Sequence, residues 1–470
     1  MNTLTVGQEA GIGRIASVTT KRIGGDLPFE TVVIHGDNGM DHFLYSFPFN
    51  PQTSNCMPLA YSKRNGFGAT VYDTVLKAEE QGYAVKAGVN AAFFGMTGIL
   101  PGGIPTGKPH TSSNIYGGVV ISDGRIMQGD NRYGAEWELL FHSDGRTDLV
   151  QSRIAYSVAA QGKNLPLGHI NMAPNSRETT DSEIYYYDSF CGEMTETKAP
   201  GVEVVCEKQN GSELTVGETL VGKVVECRET VSAGGAIGET QFVLHASSDF
   251  PSEQYALLRS LAVGDTVEVN AAETVASSKT AMETCSSAFV TYGYHIVMDG
   301  KNVTDSDRLG YEFNITRAQR TAIGIQADGG LLLVAADGRK PEFPGMTVYE
   351  LADYMISRGC VTVVDLDGGG STQVTVENDS GEPECIFDSE SRLVANSLLI
   401  VARPKIDAKT KDLLRELVAR GSAFAESEPG LTEALQFAKG VVDAETSMPG
   451  DYTKAMMRLR KALESVRANV

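Results

Sequence analysis

A chain of 470 residues with 41% hydrophobic content is long enough to bury large cores in two or three domains and is too apolar to be disordered. Its formal net charge is −20, of which residues 404–470 carry +1 and residues 1–403 carry −21. So acidic a body excludes nonspecific nucleic-acid binding, which draws on basic surface to displace phosphate counterions, and no apolar run is long enough for a membrane-spanning helix.

Residues 1–69 alternate short β-like runs, such as FETVVIHG and DHFLYSF, with turn residues, and VYDTVLKAEEQG at 71–82 reads as a short helix. The start, MNTLTVGQEAGIGRI, has no charged-then-apolar leader pattern. It fits either a cytoplasmic protein or a mature form whose leader is replaced by methionine. From 85 to 124 a small-residue strand passes through Asn90 and the Phe93-Phe94 pair into a long loop rich in Gly, Pro, Ser and Thr. Loops of that length are commonly functional, and Lys108, His110 and Asn114 are its polar candidates. Between about 186 and 283, runs such as GVEVVCEK, LVGKVVEC, QFVLHAS and DTVEVN predict a β-rich insertion, interrupted by the helix-like EQYALLRSLAVGD.

Residues 314–346 place Arg317 and Arg320 before the strand-like TAIGI, then turn at Asp328-Gly329 into LLLVAA, which ends at Asp337-Gly338-Arg339. A helix comes next, with Thr347 and Glu350 spaced as a capping box and Gly359 at its stop, so Glu350 reads as a cap rather than a catalyst. The next strand runs into VTVVDLDGGGST at 361–372, making 331–367 a β-α-β unit with an acidic pair at its carboxyl end. If the strand continues, Asp365 and Asp367 share a face, where two close carboxylates resist joint ionisation unless a cation or polar ligand stabilises them. Gly368, Gly369 and Gly370 can present bare N–H groups, and Ser371 adds a hydroxyl, so the turn could hold an oxyanion. It is no nucleotide P-loop, because it lacks the lysine and leads into the strand-like STQVTVE. After Pro404, KTKDLLRELVARGSAF, LTEALQFAKGVVD and DYTKAMMRLRKALESVRA predict three helices, with breaks at Pro429-Gly430 and Pro449-Gly450. The fold class expected from these elements is α+β: a mixed-sheet domain, a β-rich insertion and a C-terminal three-helix bundle.

VNAAFF with GIPTG, RAQRTAIGI, ADGR before GMTVYELADYM, and VDLDGGGST, in this order, resemble the phosphodiester glycosidase family over about 70–160 and 284–403. The resemblance implies a discontinuous catalytic domain, 1–185 and 284–403, around the 186–283 insertion. It also implies that Asn90, Arg317, Arg320 and Asp365 through Ser371 occupy family motif positions, with Thr321 and Arg339 beside them. Ala91, Ala92 and Asp365 depart from the usual residues, and Tyr294-His295 replaces a Gly-Gly-Pro turn common in relatives. Those departures bear on substrate more than on fold. The bundle's Leu414, Leu435, Ala438, Ala455, Leu459 and Leu463 resemble the three-helix FIVAR modules of Gram-positive surface proteins. That likeness implies an extracellular or wall-associated protein, its leader removed, with a cell-wall polymer as a partner of the bundle.

Residues and resemblance together give a mechanistic expectation. A sugar-1-phosphodiester is hydrolysed to free sugar and phosphate monoester, with Asp367 as nucleophile or base and Asp365 and Arg320 assisting. Asn90, Arg317, Thr321, Arg339, Gly368, Gly369, Gly370, Ser371, His110 and His295 are the substrate-binding candidates. No cofactor is expected: DLDGGG lacks the further oxygen ligands of a calcium loop, and the seven histidines show no zinc-hydrolase spacing, although a bound cation is compatible. Seven cysteines lack metal spacing, and Cys206 and Cys227 could pair in an oxidising compartment. The alternative function is a carbohydrate- or cell-wall-binding surface protein without turnover.

Overall fold

A computed structural model describes all residues except 1–3, 64–67, 97–98, 101–103, 106–112, 116, 131–133, 173–181, 198, 231–233, 251, 307–308, 425–428 and 469–470. Three large sheets form the body. The first has eight antiparallel strands and carries the candidate site. Its inner members run in the order Asp41–Phe49, Leu331–Ala336, Arg320–Gln326, Cys360–Leu366 and His295–Met298. The second has five, with Val85–Asn90 between Gln373–Glu377 and Ser397–Ala402.

The apolar run LLLVAA is buried at every position because its sheet is covered on both faces. On one face Leu331 and Leu333 join Val364 and Leu366 against the five-stranded sheet. On the other, Leu332 and Val334 join Val363 beneath the helix Val348–Ser357. That helix starts on the expected capping box: the Thr347 hydroxyl accepts from the Glu350 N–H at 3.1 Å, and Glu350 accepts from the Thr347 N–H at 2.9 Å. The β-α-β unit also forms, with one refinement. Arg320–Gln326 lies between the two strands and pairs antiparallel with both, so Leu331–Ala336 and Cys360–Leu366 are parallel without touching.

The stretch expected as an insertion is strand-rich but not set apart. Tyr185–Asp188 pairs with His169–Ile170, and Thr266–Glu273 pairs with Ile154–Ala160, so both belong to one thirteen-stranded sheet. A single core runs through it, from Val119 and Ile170 to Val204, Leu244 and Ala288. The local β pattern was visible in the sequence; the partner strands were not. Cys206 and Cys227 do not pair: Cys206 lies opposite Val224 and Cys227 opposite Val204.

The C-terminal region forms three helices, Ala408–Ser422, Pro429–Asp443 and Pro449–Ala468. Both proline-glycine pairs open helices rather than merely ending them, since proline at the first helical position forfeits only an N–H that has no helical partner. Leu414, Leu435, Ala438, Ala455 and Leu459 form the bundle's core. The last helix docks on the body. Gly450 donates its N–H to Asp123 Oδ1 at 2.9 Å, Arg458 meets Glu218 at 2.5 Å, Lys454 donates to the Glu283 carbonyl, and Arg460 and Lys461 reach Asn210 and Thr219.

A Cβ on Gly450 would lie 1.9 Å from the Asp123 carbonyl oxygen. Gly450→Ala should therefore destabilise by roughly 1–3 kcal/mol through overpacking, although alanine is the better helix former by about 1 kcal/mol. Thermal melting checks the sign, and earlier proteolysis between the body and the bundle would place the loss at the docking contact.

Candidate active site

The strand Cys360–Leu366 ends immediately before Asp367, and the turn beyond it is held from several sides. Asp367 donates its N–H to the Ala91 carbonyl at 3.0 Å. Asn90, fully buried at the end of its strand, donates from Nδ2 to the Asp367 carbonyl, while its Oδ1 accepts from Thr321 Oγ1 at 2.9 Å and from the Gln373 N–H at 3.3 Å. Asn90 and Thr321 thus spend their polar atoms joining strands beneath the turn instead of meeting a substrate.

The glycines form a 3₁₀ turn over Gly369–Ser371. Gly369 has φ +58, a conformation that strains other residues, and a Cβ on Gly368 would come 2.8 Å from the Gln319 carbonyl oxygen. The expected cradle of free amides is partly consumed. Gly368 donates to Asp367 Oδ1 at 2.9 Å and Gly369 donates to the Gln319 carbonyl at 2.9 Å. The turn therefore aims its own carboxylate rather than collecting an oxyanion on those two groups.

Burial separates the two acids. Asp365 is 1% exposed, with its N–H donated to the Tyr294 carbonyl at 2.9 Å. It lies opposite Ala322 on the neighbouring strand. Asp367 lies past the end of the strand and is partly exposed, so strand alternation does not place the pair on one face. Burial raises the Asp367 carboxyl from 3.8 to about 6, against the opposing pull of the Ser371 hydrogen bond, the Arg392 charge and the Gly368 N–H.

The arginines divide in the same way. Arg317 forms a two-pronged ion pair with Glu350 at 2.6 and 2.7 Å and donates to the Gly345 carbonyl, so it braces the helix cap and is not a phosphate clamp. Arg320 is 2% exposed, donates to the carbonyls of Met346, Phe313 and Thr316, and lies 4.5 Å over the Phe313 ring. Phe93 meets both Tyr294 and Phe313 edge-on, which closes an aromatic wall beside the carboxyl end of the strand. Arg339 is half-exposed and reaches Glu390 at 3.3 Å. His295 packs edge-on to Trp137 at 4.7 Å, while His110 and Lys108 lie outside the described residues.

Sequence reasoning missed Arg392 and Glu390. The hairpin of Gln373–Glu377 and Pro383–Asp388 carries both back over the glycines, where Arg392 donates to Ser371 Oγ at 3.3 Å and to Glu390 at 2.9 Å. The available signal was the turn ENDSGEP between two strand-like runs, which predicts such a return. Among the described residues no group of three His, Cys, Asp or Glu is arranged to hold a metal.

Residues 220–401 match the family model for phosphodiester glycosidase. This stretch is similar to a phosphodiester glycosidase domain. The match begins inside the stretch expected as an insertion and includes Arg320, Asp365, Asp367 and Arg392. Among curated proteins, the SPbeta prophage-derived uncharacterized protein YomE of Bacillus subtilis is 36% identical over 86 residues, which is 18% of this chain and only 13% of that protein. Among solved structures, a hypothetical protein from Synechocystis has TM-score 0.56 and 18% identity, covering 82% of this chain and 64% of that one. A Burkholderia pseudomallei protein has TM-score 0.56 and 19% identity, covering 77% and 74%. These two likenesses establish shared fold. The stretch that matches the family model thus lies within a body whose fold recurs in these two chains.

Asn90→Ala would strip partners from the Asp367 carbonyl, the Thr321 hydroxyl and the Gln373 N–H together. It should cost about 2–4 kcal/mol in denaturant unfolding, since each buried group left unpaired costs about 1–3 kcal/mol and the site relaxes in part. Thr321→Val, which releases one bond of Asn90, should cost less.

Proposed function

We propose that the chain hydrolyses a sugar-1-phosphodiester, such as an N-acetylglucosamine phosphodiester, to free sugar and phosphate monoester. The observation that carries this reading is Asp367: a residue at the rim of the turn whose carboxyl is raised by burial to about 6 and aimed by a glycine turn within the segment that matches the family model. Water attacks the anomeric carbon, its proton passes to the Asp367 carboxylate, and the electron pair of the broken C1–O bond leaves with the phosphate. Phosphate monoester is a good leaving group, so positive charge near its oxygens matters more than a strong acid. Arg320, behind the Phe313 ring, and the half-exposed Arg339 supply that charge, and Asp365 orients the sugar side.

Binding without turnover is favoured by one observation, the commitment of Arg320 donors to three backbone carbonyls. It would show as sugar-phosphate affinity with no release of phosphate monoester. An extracellular or wall-associated location is part of the proposal, supported by the FIVAR-like spacing of the bundle; the Burkholderia neighbour is itself provisionally described as exported.

Turnover should rise with pH through about 6 as Asp367 ionises. Asp367→Asn should lower phosphate monoester release about 10²–10⁴-fold, and Arg320→Ala should lower it too; full activity in the asparagine variant overturns the assignment. Stability supplies the folding control. Because the folded carboxyl holds its proton up to about 6 and the unfolded one only to 3.8, the contribution of Asp367 is greatest at low pH and is lost as pH rises through about 6. Asp367→Asn should therefore be more stable than the parent at pH 8, by roughly 1–3 kcal/mol in urea unfolding.

A further inference from the structure

Ser371 is fully buried and has one proton to give. Its hydroxyl oxygen accepts from Arg392 Nη1 at 3.3 Å, and the hydroxyl lies close enough to the Asp367 carboxylate to favour its charged form. A hydroxyl whose oxygen faces a guanidinium must direct its own proton elsewhere, and the Asp367 carboxylate is an acceptor within its reach. Arg392 is itself held: its Nη2 donates to Glu390 Oε2 at 2.9 Å, and the other Glu390 oxygen takes Arg339 at 3.3 Å. The third glycine makes room for this chain. A Cβ on Gly370 would fall 2.2 Å from Glu390 Oε2 and 2.3 Å from Arg392 Nη2, although Gly370 is not among the glycines with positive φ. Gly370 is therefore glycine for the sake of the Arg392–Glu390 pair, not for backbone conformation.

We propose that Arg392, oriented by Glu390 and seated on Gly370, is a positioning residue that locks the Ser371 hydroxyl onto the Asp367 carboxylate. This deepens the hydrolase reading and rests on it for the link to turnover. The backbone of the return loop is anchored separately, by Gln373 Nε2 donating to the Arg392 carbonyl at 2.7 Å and by the Ser389 N–H donating to the Thr372 carbonyl at 3.1 Å. Changing the Arg392 side chain thus leaves the loop in place. The charged or titratable groups on the surrounding elements include Asp365 on the same strand, Arg320 on the neighbouring strand, Tyr294 and His295 at the start of His295–Met298, Asp337, Arg339 and Lys340 after Leu331–Ala336, and Asp388, Glu390 and Arg392 on the return hairpin and loop. Of these, Arg392 acts on Asp367 most directly, through both its charge and Ser371.

The signs are opposite for the two members of the pair. Arg392→Gln removes a positive charge and frees the Ser371 proton, so Asp367 should ionise at higher pH. The acidic limb of kcat/KM should move with it, falling about five- to tenfold at pH 5 and little at pH 8. Glu390→Gln removes a negative charge and should move the limb to lower pH. Gly370→Ala, which displaces the pair, should resemble Arg392→Gln, and Arg392→Lys should recover part of the loss. Titration of ¹³C-labelled aspartate carboxyls by NMR, with Asp367 assigned by its absence in Asp367→Asn, reads the same quantity without turnover. Opposite movements in Arg392→Gln and Glu390→Gln establish the positioning role even if no phosphodiester is cleaved, in which case the hydrolase reading alone fails. An unmoved Asp367 titration in Arg392→Gln overturns the proposal, whatever the activity.

Discussion

The site depends on one buried amide. Asn90 ends a strand of the five-stranded sheet, yet its side chain bonds the backbone after Cys360–Leu366, the hydroxyl of Thr321 and the start of Gln373–Glu377. Two sheets that bury apolar faces against each other are thereby tied at one point, beside the Asp367 N–H bond to the Ala91 carbonyl. A buried amide that used fewer of its donors and acceptors would be a liability, and one that satisfies three neighbours specifies a single arrangement of them. The consequence for chemistry is that Asp367 leaves its strand in a defined direction, with its carbonyl and N–H both engaged and its carboxylate aimed by Gly368 and Ser371.

Around that node, charge is sorted by depth. Arg317 is neutralised at the helix cap by Glu350, Arg320 is turned onto carbonyls behind an aromatic ring, and Arg339 and Arg392 share Glu390 at the surface. An acidic body can bind an anion only where local guanidinium groups outweigh the global field. Here Glu390 restrains the two outermost ones, which gives orientation at some expense of attraction.

Features set by neighbours along the chain were legible in the amino-acid sequence. The capping box of Thr347 and Glu350, the apolar strand before Asp365 and the three terminal helices are local patterns, and each formed. Features that depend on distant partners were not legible. Asn90 stood out as a residue, but its partners lie in segments more than two hundred residues away, so its role as a tie was hidden. Arg317 looked like a phosphate ligand because nothing in RAQR shows that Glu350 faces it. The strands of 186–283 were visible, whereas their continuity with 154–160 depends on pairing that strand propensity does not encode. Arg392 was overlooked because its importance comes from a hairpin that folds it back onto the glycines.

Docking of the last helix has an effect on the bundle's outward electrostatics. Residues 404–470 hold eleven basic and ten acidic side chains, nearly balanced on paper. Lys454, Arg458, Arg460 and Lys461 each spend a donor on the body. Setting those four aside leaves seven basic against ten acidic side chains in the region, so the docked bundle's own balance tips toward negative charge.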